Sequence, residues 1–261
     1  MEQLELPVVT AVIPVHNHQE WIGGAIESIT HQDYPADKLR IVVIDDGSTD
    51  NSILVVRLVM GRNISRLLPS GELETKGVTQ HRNIPLIMLS RPEPGGPSAA
   101  RNLGLSVGWD GTDIFALLDS DDEYQPLKIR RSVDPFLLSN KIGVVYSDYD
   151  TLRSDGLRVR EFKEPFSRER LVQECIINCN SLVSREAFEA CGVFDETLRV
   201  AEDFDLWLRI SERFVCHHLA ESLVTIRVGD HSSTTNVPSE TWRRCHARVF
   251  EKCIKRLSVT H

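Results

Sequence analysis

The sequence predicts an α/β fold built on parallel strands, and three observations lead to that class. Residues 8–15 (VVTAVIPV) and 41–44 (IVVI) are short β-branched runs separated by a segment of helical periodicity. Strand and helix patterns then alternate as far as about residue 150. Polar or acidic residues directly follow several of these strands, at the edge where open parallel sheets bind their ligands.

The first unit has the pattern strand, helix, strand. Apolar residues recur at helical spacing through WIGGAIESI, and Tyr34-Pro35 closes the segment. Asn17, in front of this pattern, is the expected N-cap. A unit of this length that returns to a second strand predicts a βαβ crossover with parallel strands.

Further strands are expected at residues 84–90, 114–118 and 142–150, and a helix from Ser98, with Ser98 itself as the cap. The intervening residues 57–83 are longer than a βα connection requires. We treat them as an insertion of unknown role, with a short helix expected in LVMGRNISRLL.

The second half of the chain predicts three more helices. The first lies in SREAFEACG, with Ser184 as cap and Gly192 as its end. The second, EDFDLWLRISERF, has an apolar side built on Phe204, Trp207, Ile210 and Phe214, so Trp207 is expected in the core. The third is SETWRRCHARVFEKCIKRL.

This last helix is amphipathic and basic, in contrast to the acidic chain. Its basic residues are Arg243, Arg244, Arg248, Lys252, Lys255 and Arg256. Two interpretations stay open: peripheral contact with an anionic membrane surface, or a surface helix whose apolar stripe packs on the core.

Composition narrows the class of partner. The chain has 261 residues and a formal charge of −8, which disfavours nucleic acid because phosphate binding depends on Lys and Arg. No apolar run approaches the ~20 residues of a membrane span. The N-terminal MEQLELPVV lacks the basic and apolar regions of a signal peptide, so we expect a cytoplasmic protein, or one peripheral to the inner face of the membrane.

The six cysteines lie in the second half, and none forms a C-x-x-C pair. Cys175 and Cys179 with His217 and His218 raise the alternative of a zinc site, but their spacing is not that of a zinc finger. Reduced, mostly buried thiols are the favoured interpretation.

The clearest chemical signal is the run DSDD, which follows the apolar strand IFALL. At about 5 Å and an effective dielectric of about 20, each pair of these carboxylates repels by about 3 kcal/mol. Carboxylates gathered in this way are hard oxygen ligands suited to Mg²⁺ or Mn²⁺, and the cation would in turn hold a diphosphate. The glycine-rich nucleotide motifs G-x-G-x-x-G and G-x-x-x-x-G-K-[ST] are absent from the sequence.

The stretches IPVHN, VVIDDGSTDNS, GGPSAARNLGL, LLDSDD and AEDFDLWLRI occur in this order, and together they resemble the family 2 glycosyltransferases. The resemblance covers about residues 8–235. It implies a GT-A fold, with a mostly parallel central sheet flanked by helices. It also implies inverting, usually metal-dependent transfer of a sugar from a nucleotide-diphosphate sugar, with uridine favoured as the base.

The same resemblance implies one domain, residues 1–261. Its nucleotide-sugar-binding half would span about 1–125 and its acceptor-binding, catalytic half about 126–235, followed by the C-terminal basic helix at about 236–261. The acceptor would present a hydroxyl group, in the synthesis of a polysaccharide, a glycolipid or a cell-surface glycan.

For the donor, the resemblance implies that the loop of Pro14, Val15, His16 and Asn17 packs on the base, with His16 against the ring. Asp46 would accept a hydrogen bond from the base, and Asp45 would be partly structural.

The diphosphate side of the donor site is implied in the same way. Arg101 would lie near the diphosphate and the acidic corner, and Asn102 and Gly96 would shape that turn. Asp119 would belong to the same nucleotide-sugar site, and Ser120 would touch the ribose.

For the metal, Mg²⁺ or Mn²⁺, Asp121 is the first choice of direct ligand and Asp119 the second. Two interpretations of His231, in RVGDHSST, stay open: a metal or diphosphate contact, or a solvated loop histidine.

For catalysis, Glu202-Asp203 resembles the family's E-D motif, and Asp203 would be the general base that deprotonates the acceptor hydroxyl. Taken alone, these acids would be routine in a first helical turn, where the helix dipole favours them. Together with the other motifs they favour the catalytic role.

Two other functions remain as alternatives. A related sugar nucleotidyltransferase would carry a G-x-G-T-R stretch near its N-terminus, which this sequence lacks. A non-catalytic nucleotide-sugar binding module would be expected to lose the base, whereas Asp203 is present.

Overall fold

The structure is a computed structural model that describes residues 5–229 and 237–259. The strands are β1 (Val9–Val15), β2 (Leu39–Asp45), β3 (Met60–Leu67), β4 (Leu73–Thr79), β5 (Pro85–Ser90), β6 (Ile114–Leu117), β7 (Glu123–Tyr124), β8 (Ile142–Arg153), β9 (Arg158–Glu161), β10 (Leu182–Ser184) and β11 (Val215–Val228). The helices are α1 (Ile22–Thr30), α2 (Ser52–Val59), α3 (Pro97–Val107), α4 (Lys128–Leu138), α5 (Arg168–Gln173), α6 (Arg185–Cys191), α7 (Glu202–Ser211) and α8 (Ser239–Val259), with a 3-10 turn at Ala36–Lys38.

The described strands form one mixed sheet whose centre is parallel. Strands β5, β2, β1 and β6 lie side by side in that order and run in the same direction. Their alternation with α1, α2 and α3 confirms the predicted α/β class. The carboxyl ends of β2, β1 and β6 therefore meet at one edge of the sheet, which is where the sequence places its polar segments.

Antiparallel strands extend this centre on both sides. Strand β10 lies between β6 and β8 and is antiparallel to both, and β11 then pairs parallel to β8. On the other side, β4 pairs antiparallel to β5 and β3 to β4. The strands of the first and second halves of the chain are thus joined in one continuous sheet.

The predicted helix in residues 58–68 is wrong, because most of that segment is strand β3. The helix in this region lies earlier, at Ser52–Val59. Gly71, at a φ of 100°, lies between β3 and β4, and the resulting hairpin continues the sheet beyond β5. Pairing with β4 satisfies the backbone groups on the inner side of β3, so tertiary context outweighs the local pattern. Residues 57–83 are therefore largely an extension of the sheet.

Two expected helix caps are also wrong, and a third is confirmed. Helix α1 begins at Ile22 without a side-chain cap, because Asn17 instead holds the loop after β2. Helix α3 begins at Pro97 after Gly96, and the hydroxyl of Ser98 donates to the carbonyl of Leu198. Ser184 does cap α6, accepting from the N–H of Ala187. Pro at a first helical position needs no N–H partner, which explains the shifted start of α3.

The start and end of α7 also bear on the sequence predictions. The helix begins at Glu202 but ends at Ser211, before the predicted Phe214. Trp207 is fully buried, as expected of a core residue. The core residues around it lie on one face of the sheet, and a second large cluster, around Ile26 and Ile41, lies on the other.

Helix α8 packs against the core through Cys245, Val249 and Cys253, which are buried. Two of its six basic residues form ion pairs with residues outside the helix: Lys252 lies 2.6 Å from Asp205, and Arg256 lies 3.0 Å from Glu212. Arg243 pairs with Glu240 of the helix itself over 3.8 Å. The exposed basic residues that remain are Arg243, Arg244, Arg248 and Lys255. Packing on the core is thus observed, whereas membrane contact stays a prediction. Within residues 5–229 and 237–259, no helix combines the length and apolarity required to cross a bilayer.

Candidate active site

Three loops meet at the carboxyl edge of the parallel strands. The backbone N–H of Asn17, after β1, donates to the hydroxyl of Ser48, after β2, over 3.0 Å. The side-chain oxygen of Asn17 accepts from the N–H of Thr49 over 2.8 Å. The Nδ1 of His18 lies 2.7 Å from the hydroxyl of Ser120, after β6. Segments about 100 residues apart in sequence therefore line one rim.

One side of this rim is formed by the end of β1. Pro14 and Val15 are the last residues of the strand, and His16 follows with an exposed ring. The Nδ1 of His16 lies 2.8 Å from the backbone carbonyl of Asp46, which fixes the ring. An exposed, fixed imidazole face is suited to stacking against a flat ligand, the role that the sequence predicts for His16.

The carboxylate of Asp46 has several donors of its own. It accepts from Arg91 over 2.7 Å, from the N–H of Gly95 over 2.9 Å and from the N–H of Gly96 over 2.7 Å. Gly96 has a φ of 87°, a conformation that glycine adopts without strain. Asp46 therefore shapes the loop between β5 and α3.

The acidic corner after β6 is anchored by Asn180, which precedes strand β10. This buried amide accepts from the N–H of Asp119 over 2.9 Å and donates to Asp122 over 2.6 Å. The other oxygen of Asp122 accepts from the N–H of Arg227 over 2.9 Å. Burial, together with the charges of Asp121 and Asp119, raises the pKa of Asp122 well above its usual range. Asp122 is therefore an anchor of the corner, whereas Asp119 and Asp121 are partly exposed.

Arg227 holds the corner from strand β11. Its guanidinium donates to the carbonyl of Asp121 over 2.9 Å and to the carboxylate of Glu123 over 2.6 Å. With the backbone bond to Asp122, one residue of β11 contacts three consecutive residues of the corner. This arrangement fixes the backbone on which Asp119 and Asp121 are carried.

Arg101 connects the acidic corner to the start of α7. Its guanidinium is buried and donates over 2.7 Å both to Asp119 and to Glu202. Burial lowers the pKa of Arg101, but Cys179 and these two carboxylates raise it well above its usual range, so the group stays charged. The guanidinium also lies 5.4 Å from the ring centre of Phe194. Arg101 is thus the counter-ion of two carboxylates that are about 80 residues apart in sequence.

Asp203 follows Glu202 directly and has few compensating contacts. Burial, followed by the charge of Glu202, raises the pKa of Asp203 to about 7. The hydrogen bond from the N–H of Phe204, over 2.8 Å, and the positive charge of Arg101 lower this pKa but do not cancel the increase. Ala201, before Glu202, has a φ of 60°. A carboxyl group with a pKa near neutrality is suited to general-base catalysis, because it can both accept and hold a proton.

Asn102 supports the same junction one residue after Arg101. Its side chain donates to the carbonyl of Phe194 over 3.0 Å and accepts from the N–H of the same residue over 3.0 Å. The structure therefore brings together the predicted residues Asp119, Arg101 and Glu202, with Asn102 tying α3 to the segment before α7. His231 lies outside the described residues.

Asp119 and Asp121 are the oxygen ligands that the acidic corner offers to a divalent cation. Among residues 5–229 and 237–259, no group of three or more His, Cys, Asp or Glu side chains is arranged to hold a metal. Mg²⁺ usually takes only one or two protein carboxylates and completes its shell with water and phosphate. Asp119 and Asp121 fit that pattern, since both are partly exposed at a backbone held by Asn180 and Arg227.

The zinc alternative gains no support from these residues. His218 lies 2.8 Å from Asp148, and all six cysteines are free. Burial raises the pKa of both Cys175 and Cys179 well above the usual range. These thiols behave as packed side chains beside the site.

Sequence reasoning missed four residues that organise this site: His18, Arg91, Asn180 and Arg227. Arg91 could have been found, because it directly follows strand β5 at the same carboxyl edge as the other polar segments. Asn180 carries no such signal, since it precedes the short antiparallel strand β10.

The profile of glycosyl transferase family 2 matches residues 10–66 and 72–192. The chain belongs to this family. The match contains the rim loops and the acidic corner, whereas the Glu202-Asp203 start of α7 lies beyond it.

Two proteins similar to this chain in sequence are also glycosyltransferases or glycan synthases by name. An uncharacterized glycosyltransferase of Rickettsia felis is 29% identical over 84% of this chain and 33% of its own length. Chondroitin synthase of Pasteurella multocida is 26% identical over 98% of this chain and 24% of its own length. The chain thus spans only a part of these curated relatives.

Solved structures confirm the GT-A type of fold. S. aureus TarS 1-349 in complex with UDP superposes with a TM-score of 0.69 at 17% identity, over 94% of this chain and 65% of that one. The mannosyltransferase PcManGT from Pyrobaculum calidifontis, in complex with GDP-Man and Mn²⁺, gives a TM-score of 0.67 at 20% identity, over 97% of this chain and 65% of that one.

Proposed function

We propose that this family 2 member is an inverting glycosyltransferase that moves a sugar from a uridine-diphosphate sugar to a hydroxyl acceptor in glycan synthesis. The observation that carries the proposal is the bridge made by Arg101. One buried guanidinium, 2.7 Å from both Asp119 and Glu202, brings the donor corner and the E-D motif into one site. Membership of the family supports glycosyl transfer as the class of reaction. The contacts of Arg101 support a single site in which the acidic corner and the E-D motif act together.

Asp203 is the proposed base. An alcohol is a weak nucleophile until its proton is removed during attack, so the acceptor hydroxyl would give its proton to the carboxylate of Asp203. The raised pKa of about 7 allows this carboxylate to be ionised before attack and to keep the proton afterwards. Attack on the face opposite the departing diphosphate inverts the configuration of the anomeric carbon. Glu202 accepts a hydrogen bond from Arg101 over 2.7 Å, which fixes the start of α7.

On the donor side, His16 would stack on the base and Ser120 would border the ribose. Asp119 and Asp121 would hold Mg²⁺ or Mn²⁺, and this ion would supply charge neutralisation at the diphosphate leaving group. The neighbours support a nucleotide-sugar donor, because S. aureus TarS 1-349 was solved with UDP-GlcNAc and PcManGT with GDP-Man and Mn²⁺. Since their bases differ, uridine is the finer part of the proposal and is tested directly.

A single mutational comparison tests the proposal. Asp203→Asn should keep Mn²⁺-dependent binding of UDP-sugar and lose transfer by about 10²–10⁴-fold, the usual contribution of a general base. Asp121→Ala should instead weaken Mn²⁺-dependent donor binding, measured by thermal shift. Asp155→Asn, at an exposed carboxylate outside the site, is the matched control and should behave like the wild type.

The result can contradict the proposal in separate ways. Full turnover in Asp203→Asn would remove Asp203 from its assigned role. Stronger stabilisation by GDP-sugars than by UDP-sugars would remove uridine but keep the enzyme class. Donor binding without release of sugar to water or to any tested acceptor would favour the alternative of a non-catalytic binding module.

A further inference from the structure

A cavity of about 560 Å³ opens on the acceptor side of the sheet, apart from the donor rim. The loop that follows the acidic corner forms one wall, and the end of hairpin β8–β9 forms another. Its lining residues are Gln125, Pro126, Leu127, Asp148, Arg160, Phe162, Ala220, Glu221, Ser222 and Leu223. We call this space the bulge cavity, because strand β11 is irregular where it borders it.

The bulge cavity results from the pairing of β8 with β11. The register shifts between Leu219 and Ser222, and again between Ser222 and Thr225. Ala220 and Glu221 are therefore left out of the ladder between these two strands. Such bulges bend a strand and are frequent beside functional sites, because they redirect the side chains around them.

The lining combines an aromatic surface with hydrogen-bonding groups. The ring of Phe162 is 77% exposed, so its face is accessible to a ligand in this space. Gln125, Asp148 and Arg160 line the same space and supply an amide, a carboxylate and a guanidinium. A sugar ring has matching properties, since its C–H face is apolar and its hydroxyls donate and accept hydrogen bonds at the edge.

These polar groups are already held in position. Asp148 accepts over 2.8 Å from the N–H of Lys163 and lies 2.8 Å from Nε2 of His218. Arg160 donates to Asp150 over 3.0 Å, and Gln125 donates to Thr225 over 2.8 Å. Side chains that are fixed before binding lose less entropy when a ligand arrives.

The charge of the lining argues for a hydroxyl-rich ligand over a phosphate. Among the lining residues that the structure describes, Arg160 is the only basic one, and it is paired with Asp150, whereas Asp148 and Glu221 contribute carboxylates. Glu221 lies 3.4 Å from Arg131, outside the lining. No excess of positive charge is present to attract a diphosphate, so a second nucleotide site is disfavoured.

The bulge cavity adjoins the donor corner through short covalent paths. Gln125 lies three residues after Asp122, and its N–H donates to Leu223 of β11. Thr225, which binds the side chain of Gln125, lies two residues before Arg227, the residue that holds the corner. One wall of the bulge cavity and the acidic corner are therefore built from the same two segments, the loop after β6 and strand β11.

We propose that the bulge cavity binds a sugar unit of the acceptor glycan, with Phe162 as its stacking surface; this inference rests on the glycosyl transfer proposed above. The bulge cavity determines which acceptor glycan binds and does not affect binding of the nucleotide-sugar donor. Asp148 and Arg160 hold the hydroxyl edge of the unit, and Phe162 holds its C–H face.

The test uses the full chain, saturated with UDP and Mn²⁺, and three tetrasaccharides: of N-acetylglucosamine, of glucose and of hyaluronan. Binding is measured by saturation-transfer NMR. At least one tetrasaccharide should bind, and Phe162→Ala should weaken it about tenfold, the factor expected for loss of one aromatic stacking contact. Phe162→Trp should restore binding, because it keeps a flat surface.

Leu157→Ala is the matched control, an exposed apolar residue of the same hairpin that does not line the cavity. It should bind the tetrasaccharide like the wild type, and UDP should shift the thermal midpoint of all variants equally. The inference is overturned if none of the three tetrasaccharides binds, or if Phe162→Ala binds them as well as the wild type does. Failure of the wild type to bind UDP would instead overturn the proposed function, whatever the tetrasaccharides do.

Discussion

The acidic corner and the start of α7 are both rich in carboxylates, and Arg101 pairs with one carboxylate from each region. The two regions differ in the hydrogen bonds that reach the carboxylates not paired with Arg101. In the corner, both oxygens of Asp122 accept hydrogen bonds, from Asn180 and from the N–H of Arg227. At the start of α7, Asp203 accepts from the adjacent N–H of Phe204 and otherwise lies close to the charge of Glu202. The first arrangement fixes a backbone, and the second keeps a carboxyl group near its titration point.

The comparison depends most on Arg101, whose loss should have the largest effect. Arg101→Met leaves Asp119 and Glu202 without their buried counter-ion, and removal of one partner of a buried pair typically costs about 3–5 kcal/mol. We expect the free energy of unfolding, measured in urea, to fall by about that amount, with loss of sugar transfer. Arg101→Lys keeps the charge but cannot donate to both carboxylates in the same fork, so it should recover only part of the stability. A wild-type unfolding curve for Arg101→Met would show that the bridge does not join the two regions.

The corner alone is tested at Asn180. Asn180→Ala removes the amide that orients the backbone of Asp119 and satisfies Asp122, and loss of such supporting contacts typically weakens metal binding by about 10–100-fold. Mn²⁺ binding in the presence of UDP, followed by electron paramagnetic resonance, should show this loss. Asn178→Ala is the matched control, since Asn178 donates to the carbonyl of Ser147 away from the corner. Equal Mn²⁺ affinity in both variants would contradict the anchoring role of Asn180.

The start of α7 alone is tested by the pH dependence of transfer and of stability, which is the smallest of the three expected effects. The base must be ionised, so transfer should rise about tenfold per pH unit below about 7 and level off above it. Stability should change in the opposite direction. Because the folded-state pKa of Asp203 lies above its unfolded value near 4, the folded state binds the extra proton between them, and the free energy of unfolding falls as pH rises through about 4 to 7.

Asp203→Asn is the control for this pH dependence, since the amide does not titrate. It should remove the stability change assigned to Asp203 and leave the protein more stable than the wild type at pH 8. A wild-type rate that is flat between pH 5 and 8, with transfer itself rate-limiting, would contradict the assigned pKa.

Much of the site could be predicted from the order of the motifs and from the position of polar residues directly after strands. Both signals are carried by residues that are close together in the sequence. Polar residues after β1, β2 and β6 had to meet once these strands were parallel neighbours. The contacts of Asp46 and the partners of Arg101 could not be predicted in this way. Donors to Asp46 come from residues 91–96, and the second carboxylate of Arg101 comes from α7, so both depend on how distant segments pack. The helix predicted in residues 58–68 was wrong for the same reason, since pairing with β4 outweighed the helical pattern of that segment.

By itself, the sequence determined the α/β class, the carboxyl edge that carries the polar loops, the family, and the residue types available for donor and acceptor chemistry. The tertiary structure decided which carboxylate is held by hydrogen bonds on both oxygens and which has a pKa raised to about 7. Asp122 and Asp203 are both acids beside another acid, and the difference between them lies in burial and in the N–H donors that reach them. Those donors come from Asn180 and Arg227, far away in the chain, and only folding brings them within hydrogen-bonding distance.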